Sequence, residues 1–312
     1  MSLELSRLNV SDAEDFLPMT FPVYRHMLSL EPQTRHPEQG DQRLVRPIAI
    51  GAHMDGEPIG LALGEVPLAA EGSPELLSLY VAPHVRGQGT ATSLIEAFED
   101  AVRSDGYDRV LAVYMTGRAG SAAVERIFEK RRWSAPEART VTLRFTPDQA
   151  LATPWFGRKS PAQRDFELFP WTELTAEERT RLQESQRAAV WIPQGLEPWR
   201  HDAHGFDATS SIGMRHKGEV IGWVINHRVS DDLVRFTCSF VRRGLGNQGW
   251  ILPLYSASIE KLRAVGCKEC MFVTPVGYHT MVAFVKRRCA PWASFYGETR
   301  GCTKSLGEGG AM

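Results

Sequence analysis

Short apolar runs alternate along the chain with segments of helical period. Residues 3–10 predict a strand. Residues 12–30 have helical spacing with a break near Pro18 and Pro22. Two further strands, 46–54 and 58–66, flank the turn Met54-Asp55-Gly56-Glu57. Residues 76–81 form a continuous apolar strand of the buried kind. From Thr90, the residues Ala91, Leu94, Ile95, Phe98 and Val102 recur at helical spacing, and Asp105-Gly106 closes that helix. A strand at 109–115 and a helix at 122–132 follow. The later half repeats the order: strands 210–216, 220–229 and 233–241, helix 248–264, strand 269–275, helix 279–288. The class is α/β, a mixed sheet flanked by helices, with hairpins first and a strand–helix–strand crossover after.

The two halves share more than order. Ser11-Asp12-Ala13-Glu14 matches Thr175-Ala176-Glu177-Glu178, both with the spacing of a capping box. Gly56-Glu57-Pro58-Ile59-Gly60 matches Gly218-Glu219-Val220-Ile221-Gly222. Tyr80-Val81 matches Phe240-Val241, and Phe128-Glu129-Lys130-Arg131-Arg132 matches Phe284-Val285-Lys286-Arg287-Arg288. The matched positions lie 164, 162, 160 and 156 residues apart, the drift that small deletions leave in a duplication. The expected domains are 1–150, a linker at 151–164, a second domain at 165–306 and a disordered tail at 307–312. The segment 146–170 carries four prolines and no sustained period, which makes it the natural join.

Composition narrows the class. With 312 residues, two domains are expected. Lys and Arg total 36 against 37 Asp and Glu, so no basic excess points to nucleic acid. No apolar run is long enough to span a bilayer, and the first residues are too polar for a signal peptide. Five cysteines, all from Cys238 onward, form no disulfide framework, and a cytoplasmic location is expected. Cys267-Lys268-Glu269-Cys270 has no partner pair at zinc spacing, so no metal is expected. Cys238 with His227 on the adjacent strand is a conceivable nucleophile pair.

The strongest chemical signal is Val81-Ala82-Pro83-His84-Val85-Arg86-Gly87-Gln88-Gly89-Thr90-Ala91, which leaves an apolar strand and opens a helix. Glycines let backbone N–H groups turn inward, and the helix start adds its positive dipole end. Together they suit a pyrophosphate, with Arg86 adding a full charge. The Rossmann and Walker glycine patterns are both absent.

Through Arg86, Gly87, Gln88, Gly89, Thr90 and Ala91 the chain resembles the GCN5-related N-acetyltransferase (GNAT) superfamily, whose signature is Q/R-x-x-G-x-G/A. The preceding Leu79-Tyr80-Val81-Ala82-Pro83 looks like that family's fourth strand. With the repeat, the whole chain resembles two tandem GNAT-like domains. The resemblance implies acetyl-CoA or a longer acyl-CoA as donor and an amine on a small molecule or peptide as acceptor. It also implies that pantetheine pairs with strand 76–81 where this splays from 109–115, and that N–H groups near Tyr80 and Val81 polarise the thioester carbonyl. The expected protein is a monomer or homodimer. The competing readings are fatty-acyl transfer to a peptide or natural product and a non-catalytic acyl-CoA sensor.

The resemblance also exposes departures. Many members carry a proton-donating Tyr where this chain has Phe128, and a phenyl ring donates no proton. Tyr80 and Tyr114 are the substitutes by strand position. Glu65 and Glu75 are the candidate bases, and strand alternation puts Glu75 on the side of Leu77, Leu79 and Val81. In the second half, Arg242-Arg243-Gly244-Leu245-Gly246-Asn247-Gln248-Gly249-Trp250 keeps Arg-Gly-x-Gly in a shifted register, with Trp250 and Ile251 where Thr90 and Ala91 stand. That half reads as a degenerate copy; the alternative is that it is the active one. Trp191, Trp199, Trp223 and Trp250 are core residues or the lining of an acyl tunnel.

Overall fold

The structure, a computed structural model, describes residues 2–35, 43–69, 72–156, 165–242 and 249–307. In chain order the elements are β1 (Leu3–Arg7), β2 (Gln33–Arg35), β3 (Arg43–Met54), β4 (Glu57–Pro67), β5 (Glu75–Val81), α1 (Thr90–Ser104), β6 (Arg109–Met115), α2 (Ser121–Lys130) and β7 (Glu137–Phe145). Then come α3 (Pro147–Leu151), β8 (Phe166–Pro170), α4 (Ala176–Ala188), β9 (Ile212–His216), β10 (Glu219–Ser230), β11 (Leu233–Val241), α5 (Ile251–Ala264), β12 (Glu269–Pro275), α6 (His279–Phe284) and β13 (Phe295–Ser305).

The chain divides into two compact units. Unit 1 is Met1–Arg139 with Thr299–Met312, and unit 2 is Thr140–Glu298. The division therefore falls inside β7, not at 151–164. Thr140–Phe145 of β7 runs antiparallel to β12, and Val141, Leu143 and Phe145 are buried in the core of unit 2. The expected linker is partly structured: Thr146 caps α3 with a full capping box, and Phe156 is buried. Residues 157–164 and most of the expected tail lie outside the described residues.

In unit 1 the strand order is β1-β3-β4-β5-β6-β13, with β2 on β3. All neighbours are antiparallel except β5 and β6. The β3–β4 turn uses Asp55 at φ 52° and Gly56 at φ 88°, the left-handed pair that matches strand twist. Lys217 and Gly218 repeat it between β9 and β10, at 50° and 79°. One face of the unit 1 sheet packs on α1 and α2 through Leu94, Ile95, Phe98, Val102 and Phe128. The other packs on Phe16, Met27 and Leu28 from two 3-10 helices, Ala13–Met19 and Pro22–Ser29. The expected helix over 12–30 is thus two 3-10 turns, because Pro18 and Pro22 remove N–H donors. The capping box at Ser11 does not form; that hydroxyl donates to Asn9 and Asp12. Its counterpart at Thr175 and Glu178 does form and opens α4.

Unit 2 has the order β7-β12-β11-β10-β9-β8. Its sheet packs on α5 and α6 on one side and on α4 with residues 189–206 on the other. Helix 279–288 is α6 continued by one π turn.

Duplication is written into the registers. Gly60 faces Val81 as Gly222 faces Val241. Ala82 N–H donates to Ile59 C=O at 2.8 Å, and Arg242 N–H to Ile221 C=O at 2.8 Å. The β4–β5 ladder skips Leu77, and the β10–β11 ladder skips Thr237, an equivalent one-residue bulge. One contact has been rebuilt. A Cβ on Gly64 would sit 2.4 Å from the Phe98 ring. At the equivalent positions Asn226 donates to Ser258 Oγ at 2.7 Å. A large and a vanishing side chain were exchanged for two medium polar ones.

The last strand of each sequence half serves the other half. β13 residues Thr299–Ser305 pair with β6, the place that β7 takes beside β12. Neither β7 nor β13 stands out in the hydrophobic pattern.

Candidate functional site

The site in unit 1 is a gap between two parallel strands. β5 and β6 are in register only at Glu75–Leu111 and Leu76–Ala112. The bulge at Leu77 then turns β5 away, and from Ser78 to Val81 its β6-facing edge has no strand partner among the described residues. Unpaired strand N–H and C=O groups are a template for an extended ligand.

The gap runs into the glycine loop. Pro83–Val85 makes a 3-10 turn, then Gly87 at φ 82° and Gly89 at φ 92° turn the chain into α1. A Cβ on either glycine would meet nothing within 4 Å, so the loop opens outward, and only the left-handed backbone demands glycine. Gly89 caps α1 without a side-chain bond, which leaves the first N–H groups of α1 available to an anion. Thr90 is buried and Ala91 is small. Arg86 folds back, its Nε donating to Val81 C=O at 2.9 Å, and so ties the loop to the end of β5. These residues, Arg86 to Ala91, fit a pyrophosphate: open space, backbone donors and a guanidinium.

Glu65 and Glu75 are brought together, directly across from one another on β4 and β5. Glu65 is buried, on the face that carries Leu61 and Leu63. The bulge corrects the alternation expected for β5. Leu76 and Leu79 both join the helix-side core while Leu77 joins the opposite one, so Glu75 shares a side with Leu77 but not with Leu79 or Val81. Tyr80 stands across from Leu61 at the open part of β5.

Tyr114 lies on β6 two residues past the last β5 pairing, and its ring centroid is 5.7 Å from that of Phe128. Its hydroxyl donates to Glu125 Oε1 at 2.9 Å. Arg300 Nη1 donates to the same oxygen at 2.9 Å, and Arg300 is the direct cross-strand neighbour of Tyr114. Burial, then the Glu125 carboxylate, push the phenol well above its ordinary value. A phenol so held is a poor proton donor to a thiolate, because its one proton is already shared with a carboxylate. Phe128 is buried between Tyr114 and Trp133 as a packing residue. Sequence reasoning missed Glu125 and Arg300. Glu125 reads as an ordinary exposed helix position, and Arg300 belongs to a strand whose partner is far away in sequence.

Unit 2 repeats the splay but not the chemistry. β11 and β12 part after Phe236–Phe272. The loop residues Arg243–Gln248 lie outside the described residues. Gly249 has φ 117°, but Trp250 occupies the helix start and stacks on Phe166 with centroids 3.8 Å apart. His227 and Arg235 stand where Glu65 and Glu75 do. Cys238 is buried, donates to Leu196 C=O at 3.2 Å and has its thiol pushed up to about 12 by burial, which removes it as a nucleophile. His227 pairs instead with the Thr237 hydroxyl at 2.9 Å. Trp191 and Trp223 pack with Phe240 in a core, not along a tunnel.

The sequence model of the acetyltransferase (GNAT) family matches residues 13–127. Unit 1 is a GNAT-family domain. Among solved structures, the tandem GNAT protein from the clavulanic acid biosynthesis pathway aligns with a TM-score of 0.62 at 14% identity, covering 98% of this chain and 99% of that one. A GCN5-related N-acetyltransferase from Sphaerobacter thermophilus aligns at 0.56 and 14% identity, over 97% and 96% of the two chains. A glucosamine N-acetyltransferase region of a fungal multi-domain β-N-acetylglucosaminidase aligns at 0.54 and 15% identity, covering 96% of this chain and 38% of that one. The chain therefore has the tandem GNAT fold. No curated protein matches it by sequence. Among the described residues of this chain, no helix is long and apolar enough to cross a membrane, and no group of three or more His, Cys, Asp and Glu is placed to hold a metal.

Proposed function

We propose that unit 1 is an acyl-CoA-dependent N-acyltransferase that acylates a primary amine, with acetyl-CoA as the donor. The observation that carries this reading is the strand gap at Ser78–Val81 opening onto the glycine loop at the start of α1. One continuous track offers strand edge to an amide-bearing arm and helix N–H groups to a pyrophosphate. Backbone N–H groups near Tyr80 and Val81 would polarise the thioester carbonyl.

Charge supports an amine as the acceptor. Two carboxylates, Glu65 and Glu75, stand side by side at the closed end of the gap, and they favour a cationic ammonium over an anionic group. Either takes the proton that the ammonium must lose before it attacks. The amine then forms the C–N bond as the C–S bond breaks, and the second N–H proton of the attacking nitrogen passes to the departing thiolate, directly or through solvent. The thiolate needs no side-chain acid, since a thiol of pKa ~8.5 is a tolerable leaving group. Residues held in place by the sheet supply proximity. The equivalent pair in unit 2 is basic, which supports unit 1 as the catalytic half.

The test is calorimetric titration of CoA into Gly89→Val and Gly249→Val proteins, beside a thiol-release assay with acetyl-, decanoyl- and palmitoyl-CoA over a panel of amines. Gly89→Val should abolish CoA binding and Gly249→Val should leave it intact. The reverse pattern assigns the donor site to unit 2. Tight CoA binding with no thiol release from any donor would make the protein a sensor, not an enzyme.

A further inference from the structure

The chain Arg300–Glu125–Tyr114 is more elaborate than a packed aromatic requires. The Tyr114 ring is half-buried on the open part of β6, against the helix-side core. Its hydroxyl has one proton, and that proton goes to Glu125 Oε1 at 2.9 Å. The carboxylate is aimed by Arg300, whose Nη1 lies 2.9 Å from the same oxygen. Arg300 is itself fixed by the β6–β13 register, directly across from Tyr114. A phenol whose proton is committed in this way can act toward any third group only as a hydrogen-bond acceptor.

We propose that Tyr114 is a donor-positioning residue, locked by Glu125 and Arg300 as an acceptor for an amide N–H of the acyl-CoA arm lying in the β5–β6 gap. This rests on unit 1 being the donor site. The free edge of β5 offers backbone groups on one side of the gap, and Tyr114 stands on the strand that forms the other side, two residues past the last β5–β6 pairing. A secondary amide carries one N–H to be received. The same arrangement explains why the phenol cannot stand in for the missing tyrosine at Phe128. Its raised proton affinity, set by burial and Glu125, suits a group that accepts and never ionises.

The test separates positioning from proton transfer. Tyr114→Phe should raise KM for acetyl-CoA about ten-fold, leave kcat within about two-fold and leave the basic limb of the pH–rate profile in place. Calorimetry should show CoA bound about ten-fold more weakly, while adenosine 3′,5′-bisphosphate, which lacks the amide arm, binds as before. Glu125→Ala and Arg300→Ala should each reproduce part of the KM rise and add nothing in the Tyr114→Phe background. A fall in kcat at constant KM with a lost basic limb would make Tyr114 the acid and overturn the proposal. Equal weakening of CoA and of the bisphosphate would overturn it too, by showing a purely structural role. If the unaltered protein binds neither ligand, the donor-site reading falls, and this inference with it.

Discussion

Glu99 is the most heavily committed single side chain in unit 1. It is almost fully buried on α1, and it receives Arg131 at 2.7 Å, Trp133 Nε1 at 2.8 Å and Lys304 Nζ at 2.5 Å. Burial pushes its pKa up, but the bonds from Arg131, Lys304 and Trp133 outweigh that and hold it below the ordinary range. Asp105 is lowered as well, first by its bond from Arg7 and also by Arg46. A carboxylate lowered on folding contributes stability above its unfolded pKa and loses it as pH falls through the folded value. Unit 1 should therefore hold its urea midpoint from pH 7 to about 5 and lose it steeply below about 4. Glu99→Gln should cost about 3–5 kcal/mol at pH 7, because two cations lose their buried partner. It should also flatten the acid limb, as urea melts at three pH values would show. Phe128 makes a contrasting case. Phe128→Leu should lower the melting temperature and leave the shape of the pH–rate profile unchanged, since the ring only packs between Tyr114 and Trp133.

Elements were legible where their cause is local. The 109–115 strand, the Asp55-Gly56 turn and the helix at Thr90 were all visible, because alternation, turn chemistry and helical period act within a few residues. The glycine loop was visible for the same reason. The bulge at Leu77 was not, because it is a property of a ladder rather than of a strand, and it reversed the side assigned to Glu75 relative to Leu79. Nor was the failure of the Ser11 box visible: the same spacing caps a helix at Thr175 but precedes a proline-broken segment at Ser11. The two bulged ladders offer a direct experiment on how the copies diverged. Gly64→Asn alone should be strongly destabilising, since even a Cβ there would lie 2.4 Å from the Phe98 ring and from Glu75 C=O. Gly64→Asn with Phe98→Ser imports the Asn226–Ser258 pair and should recover part of that loss. A double-mutant cycle read by chemical denaturation would give a favourable coupling.

At the scale of the whole chain, the repeat was readable from four matched landmarks, but the exchange of β7 and β13 was not. Their composition marks neither as belonging to the other half, and no period within a strand names its partner. The candidate site inherits that blindness, because Arg300 reaches Tyr114 and Glu125 only through β13. Deleting residues 299–312 should cripple unit 1 while leaving most of unit 2 intact. The truncated chain removes Cys302 and Lys304 from the core and ion cluster of unit 1, and it should lose CoA binding and expose α1 to protease. Wild-type CoA affinity in that variant would refute the expectation. The exchange also sets a timetable for biogenesis. A nascent chain that has just delivered Arg139 has every helix of unit 1 but lacks the strand that covers β6. That strand is made more than 150 residues later, which at ordinary translation speeds is a wait of roughly 10–30 s. For that interval the first half is an open sheet edge on the ribosome, matched to a strand that is synthesised last.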